Sequence, residues 1–220
     1  MCRRGFTSGR LLPLSCCAGL ALFMAARPVA SGPVPGFLET WPGTSTQTWV
    51  GGSTYSNPGT GGTGGAGDGY LKMSVTFPTH LGTANLTTNY AGDWIAAGIT
   101  AIKVWLNDVN LDQLLEIHFS LGNVNNFWQY NEGFLPPENA WGEFTVDLSS
   151  ESGFTLIRGA GTFLDALRTV DRIHFRHDLA PYTGSPNSIM GEVGIDHLQL
   201  LGGITATRAN TWGRLKALYR

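Results

Sequence analysis

Residues 99–106, which read Ile-Thr-Ala-Ile-Lys-Val-Trp-Leu, decide the fold class. Ile102, Val104 and Leu106 are separated by polar or amphipathic residues, and this period of two is typical of a strand with one buried face. Trp105 has the opposite parity to these three aliphatic side chains. We therefore predict a strand whose aliphatic face lies in the core and whose other face carries Trp105.

Five further runs have the same character, because each is short, rich in β-branched or aromatic residues, and bounded by Gly, Asn, Asp or Pro. They are residues 70–77, 114–121, 141–148, 170–177 and 193–201, and weaker runs occupy 46–50, 84–88 and 127–130. The one convincing helix before the tail, 162–169, is too short for the crossovers of a parallel sheet. These runs predict an all-β fold, a two-sheet antiparallel sandwich of jelly-roll type.

The two ends of the chain differ in composition from its body. Arginines, an apolar stretch at 11–26 and small residues at 29–31 follow one another in the order of a secretory signal peptide. Residues 1–31 are therefore predicted to be removed, and an uncleaved membrane anchor is the alternative. Residues 32–204 are predicted to form the sandwich. Residues 205–220 are basic with apolar side chains at helical spacing, and we predict a short amphipathic tail that docks on the acidic body, an envelope protein or an envelope surface.

Charge and cysteine content narrow the class of protein. Only 14% of the residues are charged, against about 25% in an average globular chain. Four of the 14 Lys and Arg residues, but none of the 16 acidic ones, lie in 1–31, so the mature chain is acidic. This disfavours nucleic acid and anionic membranes as partners.

All three cysteines also lie in 1–31, which leaves no disulfide for the sandwich. The glycine run at 59–69 is predicted to be a mobile surface loop.

Aromatic and polar side chains on the strands indicate a binding face. The predicted ligand-binding residues are Trp105, His118, Trp128, Tyr130, His174 and Arg176. Flat aromatic faces beside hydrogen-bond donors are what a sugar ring requires, because its C–H faces stack and its hydroxyls need directional partners. Strand parity predicts that the two histidines and the arginine share one sheet face with Trp105. The alternatives are that the tryptophans fill the core and that the histidines belong to an ordinary polar face.

Motifs for catalysis are absent from the sequence. There is no Gly-x-Ser-x-Gly, no His-Glu-x-x-His and no phosphate-binding glycine loop that opens a helix. A glycosidase needs a pair of carboxylates about 5–10 Å apart, and Glu116, Glu132, Glu138 and Glu143 qualify by residue type alone. We therefore predict a secreted or cell-surface, non-catalytic module, extracellular or periplasmic, that binds a polysaccharide or another extracellular polymer. A structural or adhesive envelope protein and an extracellular glycan hydrolase are the alternatives.

Four short motifs occur in an order that resembles bacterial exported jelly-roll domains of the carbohydrate-binding-module and laminin-B-like, galactose-binding-like type. They are Phe37-Leu38-Glu39, Asp68-Gly69-Tyr70-Leu71, Gly92-Asp93-Trp94 followed by Ala97-Gly98-Ile99, and Gly194-Ile195-Asp196-His197-Leu198. The resemblance covers about Gly36 to Leu201.

This resemblance implies a β-sandwich, a binding role and a structural calcium ion. In such modules an acid near the first strand, the loop that follows and an acid on the last strand hold the ion. The corresponding residues here are Glu39, Asp68 in the 68–70 turn, and Asp196, which would tie the first strand to the last.

Export is the first testable prediction. Cleavage should occur close to Ala30 or Ser31, because small residues at these positions follow the apolar stretch. Mass spectrometry of the extracellular or periplasmic fraction measures the start of the chain. An intact chain that begins at Met1 and stays in the cytoplasm would contradict the prediction.

Overall fold

A computed structural model describes residues 32–110 and 114–203. The predicted signal peptide, 1–31, and the predicted tail, 205–220, lie outside the described residues. The strands are β1 (Leu38–Glu39), β2 (Thr54–Ser56), β3 (Leu71–His80), β4 (Gly82–Asn85), β5 (Ile99–Asn110), β6 (Ile117–Asn123), β7 (Asn126–Tyr130), β8 (Gly142–Asp147), β9 (Phe154–Gly159), β10 (Arg172–His177) and β11 (Ser188–Gly202). Two short helices, α1 (Trp94–Ala97) and α2 (Phe163–Arg168), and a 3₁₀ turn at Glu151–Gly153 complete the described elements.

The described strands form two antiparallel sheets. One has the order β2-β3-β11-β5-β8, with β1 also paired to β11, and the other has the order β4-β10-β6-β7-β9. Ile102, Val104 and Leu106 of β5 are fully buried between the sheets. The predicted all-β sandwich is therefore confirmed, because the period-two pattern gives each sheet one apolar face and the two apolar faces pack together.

Large aromatic side chains fill much of the space between the sheets. Trp49 lies 6.1 Å from Phe175 and 6.0 Å from Tyr90 between ring centroids, and Trp41 packs against Trp49 from another side. All four are buried. With no cysteine beyond residue 31, this aromatic packing supplies the stabilisation that a disulfide gives to many exported domains.

The helices are short and capped at their first turns. The Thr162 side chain accepts from the backbone N–H of Asp165 at the start of α2, which confirms the helix predicted at 162–169. Asp93 caps α1 in the same way, and Gly98 ends α1 in the left-handed conformation that favours glycine. Within the described residues, no helix has the length and apolar character needed to span a membrane.

Three strands escaped the sequence pattern, and one predicted strand is not formed. β1 and β2 are only two and three residues long, and β9 contains a register shift against β7, so none of them shows a clean alternation. Residues 46–50 contribute only a single bridge, from Val50 to Ala84. Each of the other predicted runs overlaps an observed strand, with shifted ends.

The glycine run at 59–69 forms a loop, as predicted, but it is held against the six-stranded sheet. Gly61 N–H donates to the Gly65 carbonyl, and Gly62 N–H donates to the Asp68 carbonyl. The loop is attached to the sheet through Thr63, whose backbone N–H and hydroxyl both donate to Asp196 Oδ2 at 2.9 and 2.8 Å. The interpretation of this segment as a mobile loop overlooked these anchoring contacts.

Glu39 lies on the core side of the six-stranded sheet. It pairs with Leu198, a core residue, and its carboxylate accepts hydrogen bonds from Trp49 Nε1, at 3.0 Å, and from the Tyr90 hydroxyl. Asp196 pairs with Trp105 and lies on the opposite, outer face. The predicted calcium ligand set is therefore wrong in Glu39, because the sheet separates its side chain from Asp196.

The buried Glu39 carboxyl makes stability depend on pH. Burial raises its pKa above the ordinary value, and the hydrogen bonds from Tyr90 and Trp49 offset this only in part. The folded protein then holds the Glu39 proton more tightly than the unfolded chain, so stability falls as pH rises from the unfolded pKa through the raised folded pKa. The loss is about 1.4 kcal/mol for each unit by which the pKa is raised.

Glu39→Gln should remove this pH-dependent loss. Urea unfolding at half-unit pH steps above pH 4 should show the stability of the wild type falling relative to that of Glu39→Gln. Glu138→Gln, which changes an exposed acid, is the matched control and should follow the wild type. Parallel curves for wild type and Glu39→Gln would contradict the assignment.

Candidate functional site

A cleft opens on the outer face of the five-stranded sheet. Its floor is set by register: His174 of β10 pairs with Ala84 of β4, and Arg176 pairs with Gly82, so these four residues share the face opposite the core. The cleft has a volume of about 170 Å³. The residues that line it and carry side chains of chemical interest are His80, Phe127, Ile157, Arg158, His174 and Arg176.

The apolar part of the cleft is built around Phe127. Its ring lies 4.7 Å from the His174 ring between centroids, at 58°. Ile157 of β9 adds an aliphatic surface beside it. Phe127 is only 4% exposed and Ile157 only 9%, so the cleft offers a small apolar surface to the C–H face of a ring.

His174 is neutral at physiological pH. Burial, and after it the positive charges of Arg172, Arg176 and Arg158, lower its pKa to about 4. A neutral imidazole has one N–H donor and one acceptor nitrogen. His174 can therefore exchange hydrogen bonds with a hydroxyl group in either direction.

Arg176 is fixed in place by a buried network. Its Nε donates to Gln129 Oε1 at 2.6 Å, and its Nη2 donates to Asp178 Oδ2 at 2.6 Å and to the Thr183 carbonyl at 2.7 Å. Gln129 and Asp178 are themselves buried and joined by a further hydrogen bond. Burial lowers the pKa of Arg176 and the Asp178 charge opposes this, so the guanidinium stays charged. The network holds a rigid cation at the wall of the cleft.

The segment 178–187 covers the neighbouring part of the same sheet face. Tyr182 places its ring 4.8 Å from the His118 ring and donates its hydroxyl to the Asn131 carbonyl. His118 is fully buried beneath it, with Nδ1 donating to the Tyr130 carbonyl and Nε2 lying 3.0 Å from Glu116 Oε1. The prediction that His118 is an accessible ligand contact is therefore wrong, because strand parity says nothing about a loop that crosses the face.

Trp128 and Tyr130 face the core. Trp128 is 7% exposed, packs edge-on against Phe163 and donates its Nε1 hydrogen to Asn126 Oδ1. Tyr130 packs against Phe144 and Phe154 on the same inward side. Their prediction as binding platforms is wrong, because β7 turns Phe127 and Gln129 outward instead.

Trp105 belongs to the other sheet. It pairs with Asp196 of β11 and Glu143 of β8 on the outer face of the six-stranded sheet, where it is half-buried. Its predicted parity is right, but it does not share a face with His118, His174 and Arg176. Parity determines on which side of a strand a side chain lies, but it does not determine to which sheet the strand belongs.

The structure thus brings together two of the six predicted binding residues, His174 and Arg176, and adds two that the sequence reasoning missed. Phe127 would have been found if β7 had been read with Trp128 and Tyr130 inward. Arg158 gave no signal, because its strand, β9, was not recognised.

Asp68, Asp196 and His197 form the one metal-like cluster among the described residues, with potential ligand atoms within 4.8 Å of one another. One oxygen of each carboxylate already has a donor: Asp196 Oδ2 accepts from Thr63, and Asp68 Oδ2 accepts from the Gly64 N–H at 2.6 Å. Calcium prefers six to eight oxygen ligands. The donors of Thr63 and Gly64 would therefore compete with a cation for these two oxygens.

The effect of calcium on thermal stability tests this cluster. The sequence-based expectation is a rise in the melting temperature with calcium, by mass action on the folded state. From the donors around Asp196, we expect melting curves with calcium and with chelator to superimpose. A calcium-dependent rise that is lost in Asp196→Asn would contradict the structural expectation and show that Thr63 gives way to the ion.

No family model and no curated protein matches the chain. Among solved structures, a family 11 carbohydrate-binding module of the cellulase Lic26A-Cel5E of Clostridium thermocellum matches with 19% identity over 78% of this chain and 97% of that one, at a TM-score of 0.52. A family 11 module from Clostridium thermocellum in complex with a β-1,3-1,4-mixed-linked tetrasaccharide matches with 19% identity over 78% and 98% of the two chains, at a TM-score of 0.50.

A third solved structure, an exo-β-agarase, matches with 12% identity over 78% of this chain and 25% of that one, at a TM-score of 0.52. The shared feature at this level of identity is the arrangement of strands. The chain therefore has a jelly-roll fold similar to that of these carbohydrate-binding modules.

Proposed function

We propose that this protein is a secreted, non-catalytic carbohydrate-binding module, and that it binds a glycan in the cleft on the five-stranded sheet. The observation that carries the proposal is the pairing, in one cleft, of the Phe127 and Ile157 apolar surface with the polar groups of His174 and Arg176. A sugar residue has apolar C–H faces and a rim of hydroxyls, and it needs both kinds of contact at once.

The rigidity of the cleft supports a binding role. Arg176 is held by three hydrogen bonds, and Phe127 is packed against His174. These side chains are therefore already in position when a ligand binds. A preformed site avoids the entropy cost of ordering side chains on binding. The solved family 11 module in complex with a tetrasaccharide adds weight, since the two chains share a fold.

The composition of the cleft supports a role without catalysis. None of the described residues that line it is an Asp or Glu, whereas glycoside hydrolysis needs a facing pair of carboxylates. The acids considered from the sequence lie elsewhere. Glu143 is on the six-stranded sheet, paired with Lys103, and Glu116 is bonded to the buried His118.

His174→Ala tests the proposed site. We expect its affinity for the preferred polysaccharide to fall about tenfold, because one or two hydrogen bonds of about 0.5–1.5 kcal/mol each are lost. The measurement is affinity electrophoresis and calorimetry against a panel of soluble polysaccharides, with melting curves to show that the variant is folded.

Trp105→Ala is the matched control, because Trp105 is half-buried on the other sheet. It should keep the affinity of the wild type. Loss of binding in Trp105→Ala with retention in His174→Ala would move the site to the six-stranded sheet. Absence of binding to every glycan on the panel would overturn the proposed function.

A further inference from the structure

The charge around the cleft differs in sign from the charge of the whole chain. The structure describes six Lys and Arg residues, and three of them, Arg158, Arg172 and Arg176, lie on or beside this one sheet face. The chain as a whole has a net charge of −2, and 1–31 contributes only positive charge. The cleft is therefore a positive site on an acidic protein.

Two of the three arginines have partners within the protein. Arg176 is paired with Asp178 at 2.6 Å, and Arg172 is paired with Asp171 at 2.7 Å. These pairs compensate both guanidinium groups. Neither arginine needs a ligand to offset its charge.

Arg158 has no such compensation. Its side chain lines the cleft, is exposed, and has no hydrogen bond or ion pair with any residue in 32–110 or 114–203. Arg158, His174 and Arg176 line the same cleft. Burial is the main cause of the lowered pKa values of His174 and Arg176, and the charge of Arg158 lowers both further. The cleft thus carries one guanidinium without a counter-charge among the described residues.

We propose that the cleft takes an anionic sugar residue, with Arg158 binding its acidic group; this inference rests on the proposed carbohydrate-binding function. A guanidinium binds a carboxylate or a sulfate ester through two parallel N–H donors, and charge-assisted bonds of this kind are stronger than neutral ones. The anion would supply the counter-charge that Arg158 lacks among the described residues. A neutral sugar would leave Arg158 without one.

The small volume of the cleft favours a single charged ring over a long chain. Its volume of about 170 Å³ is below the roughly 300–1,000 Å³ of pockets for drug-sized ligands. Gly82 in the floor allows β4 to lie close to Arg176, since a Cβ added there would lie 2.9 Å from Arg176 Cβ. A single residue can therefore place its ring against Phe127 and its acidic group towards Arg158.

Binding to matched pairs of polysaccharides tests the inference. Polygalacturonate is compared with its fully methyl-esterified form, which removes the carboxylate charge, and dextran sulfate is compared with dextran. We expect at least tenfold tighter binding to one charged member than to its neutral partner, with an affinity that falls as NaCl is raised. The pair that responds shows whether the acidic group is a carboxylate or a sulfate ester.

Arg158→Gln should abolish this preference for the charged member. Because the Arg158 side chain has no hydrogen bond or ion pair with a described residue, the variant should melt at the temperature of the wild type. Arg168→Gln, which changes an exposed arginine on α2 that does not line the cleft, is the matched control and should keep the preference. Arg158→Lys should recover part of the binding, because it restores the charge without the two parallel donors.

The outcomes separate this inference from the proposed function. Tight binding to a neutral glycan that His174→Ala weakens and Arg158→Gln leaves unchanged would overturn the anionic ligand and keep the carbohydrate-binding module. No binding to any neutral or charged glycan would overturn both. An equal loss of the preference in Arg168→Gln and Arg158→Gln would reduce it to a general effect of net charge and overturn the assignment to Arg158.

Discussion

The pairing of β10 with both β4 and β6 fixes the two sides of the five-stranded sheet. It places Ile173 and Phe175 in the core and turns His174 and Arg176 outward. Since side chains alternate along a strand, a slip of one residue would put a guanidinium into the core and Phe175 into water. The burial of Phe175 against Trp49 and Phe119 makes such a slip costly. The packing of the core thus also determines which groups face the cleft.

The buried pair of Arg176 and Asp178 links this strand to the segment that follows it. Taking two charges out of water is costly, and the cost is offset only where each charge has further hydrogen bonds. Gln129 and the Thr183 carbonyl supply these bonds to Arg176, while backbone N–H groups at 179 and 187 donate to Asp178 Oδ1. The segment 178–187 is thereby folded back over the sheet. Removing either partner would leave the other as an unpaired buried charge. This would release the segment 178–187 and, with it, the cleft wall.

The sequence was informative about alternation and uninformative about pairing. Ile102, Val104 and Leu106 predict a strand with one core face, and the structure bears this out. His174 and Arg176 were found because their neighbours Ile173 and Phe175 are unambiguously apolar. Trp105 was assigned to the wrong sheet, since the partner of a strand depends on residues far away in the chain.

Local ambiguity explains the remaining errors about the site. In β7, residues 127, 128 and 130 are all aromatic, so either face could be the inner one, and packing of Trp128 against Phe163 decides. The burial of His118 depends on a loop about 60 residues later in the chain, which no local pattern reveals. Glu39 and Asp196 lie near the same pair of strands, yet the register of β1 against β11 puts them on opposite faces.

Tyr182 covers the part of the outer sheet face next to the cleft, and this has a consequence for how the protein would attach to its target. An open groove can hold several units of a chain, and its affinity grows with each unit in contact. If the cleft takes one ring, as proposed, it makes few contacts, and each protein molecule would contribute a modest affinity of its own. Firm attachment then requires several such sites to act together on one polymer or surface, and the strength of attachment is set by how many copies are joined and how they are spaced.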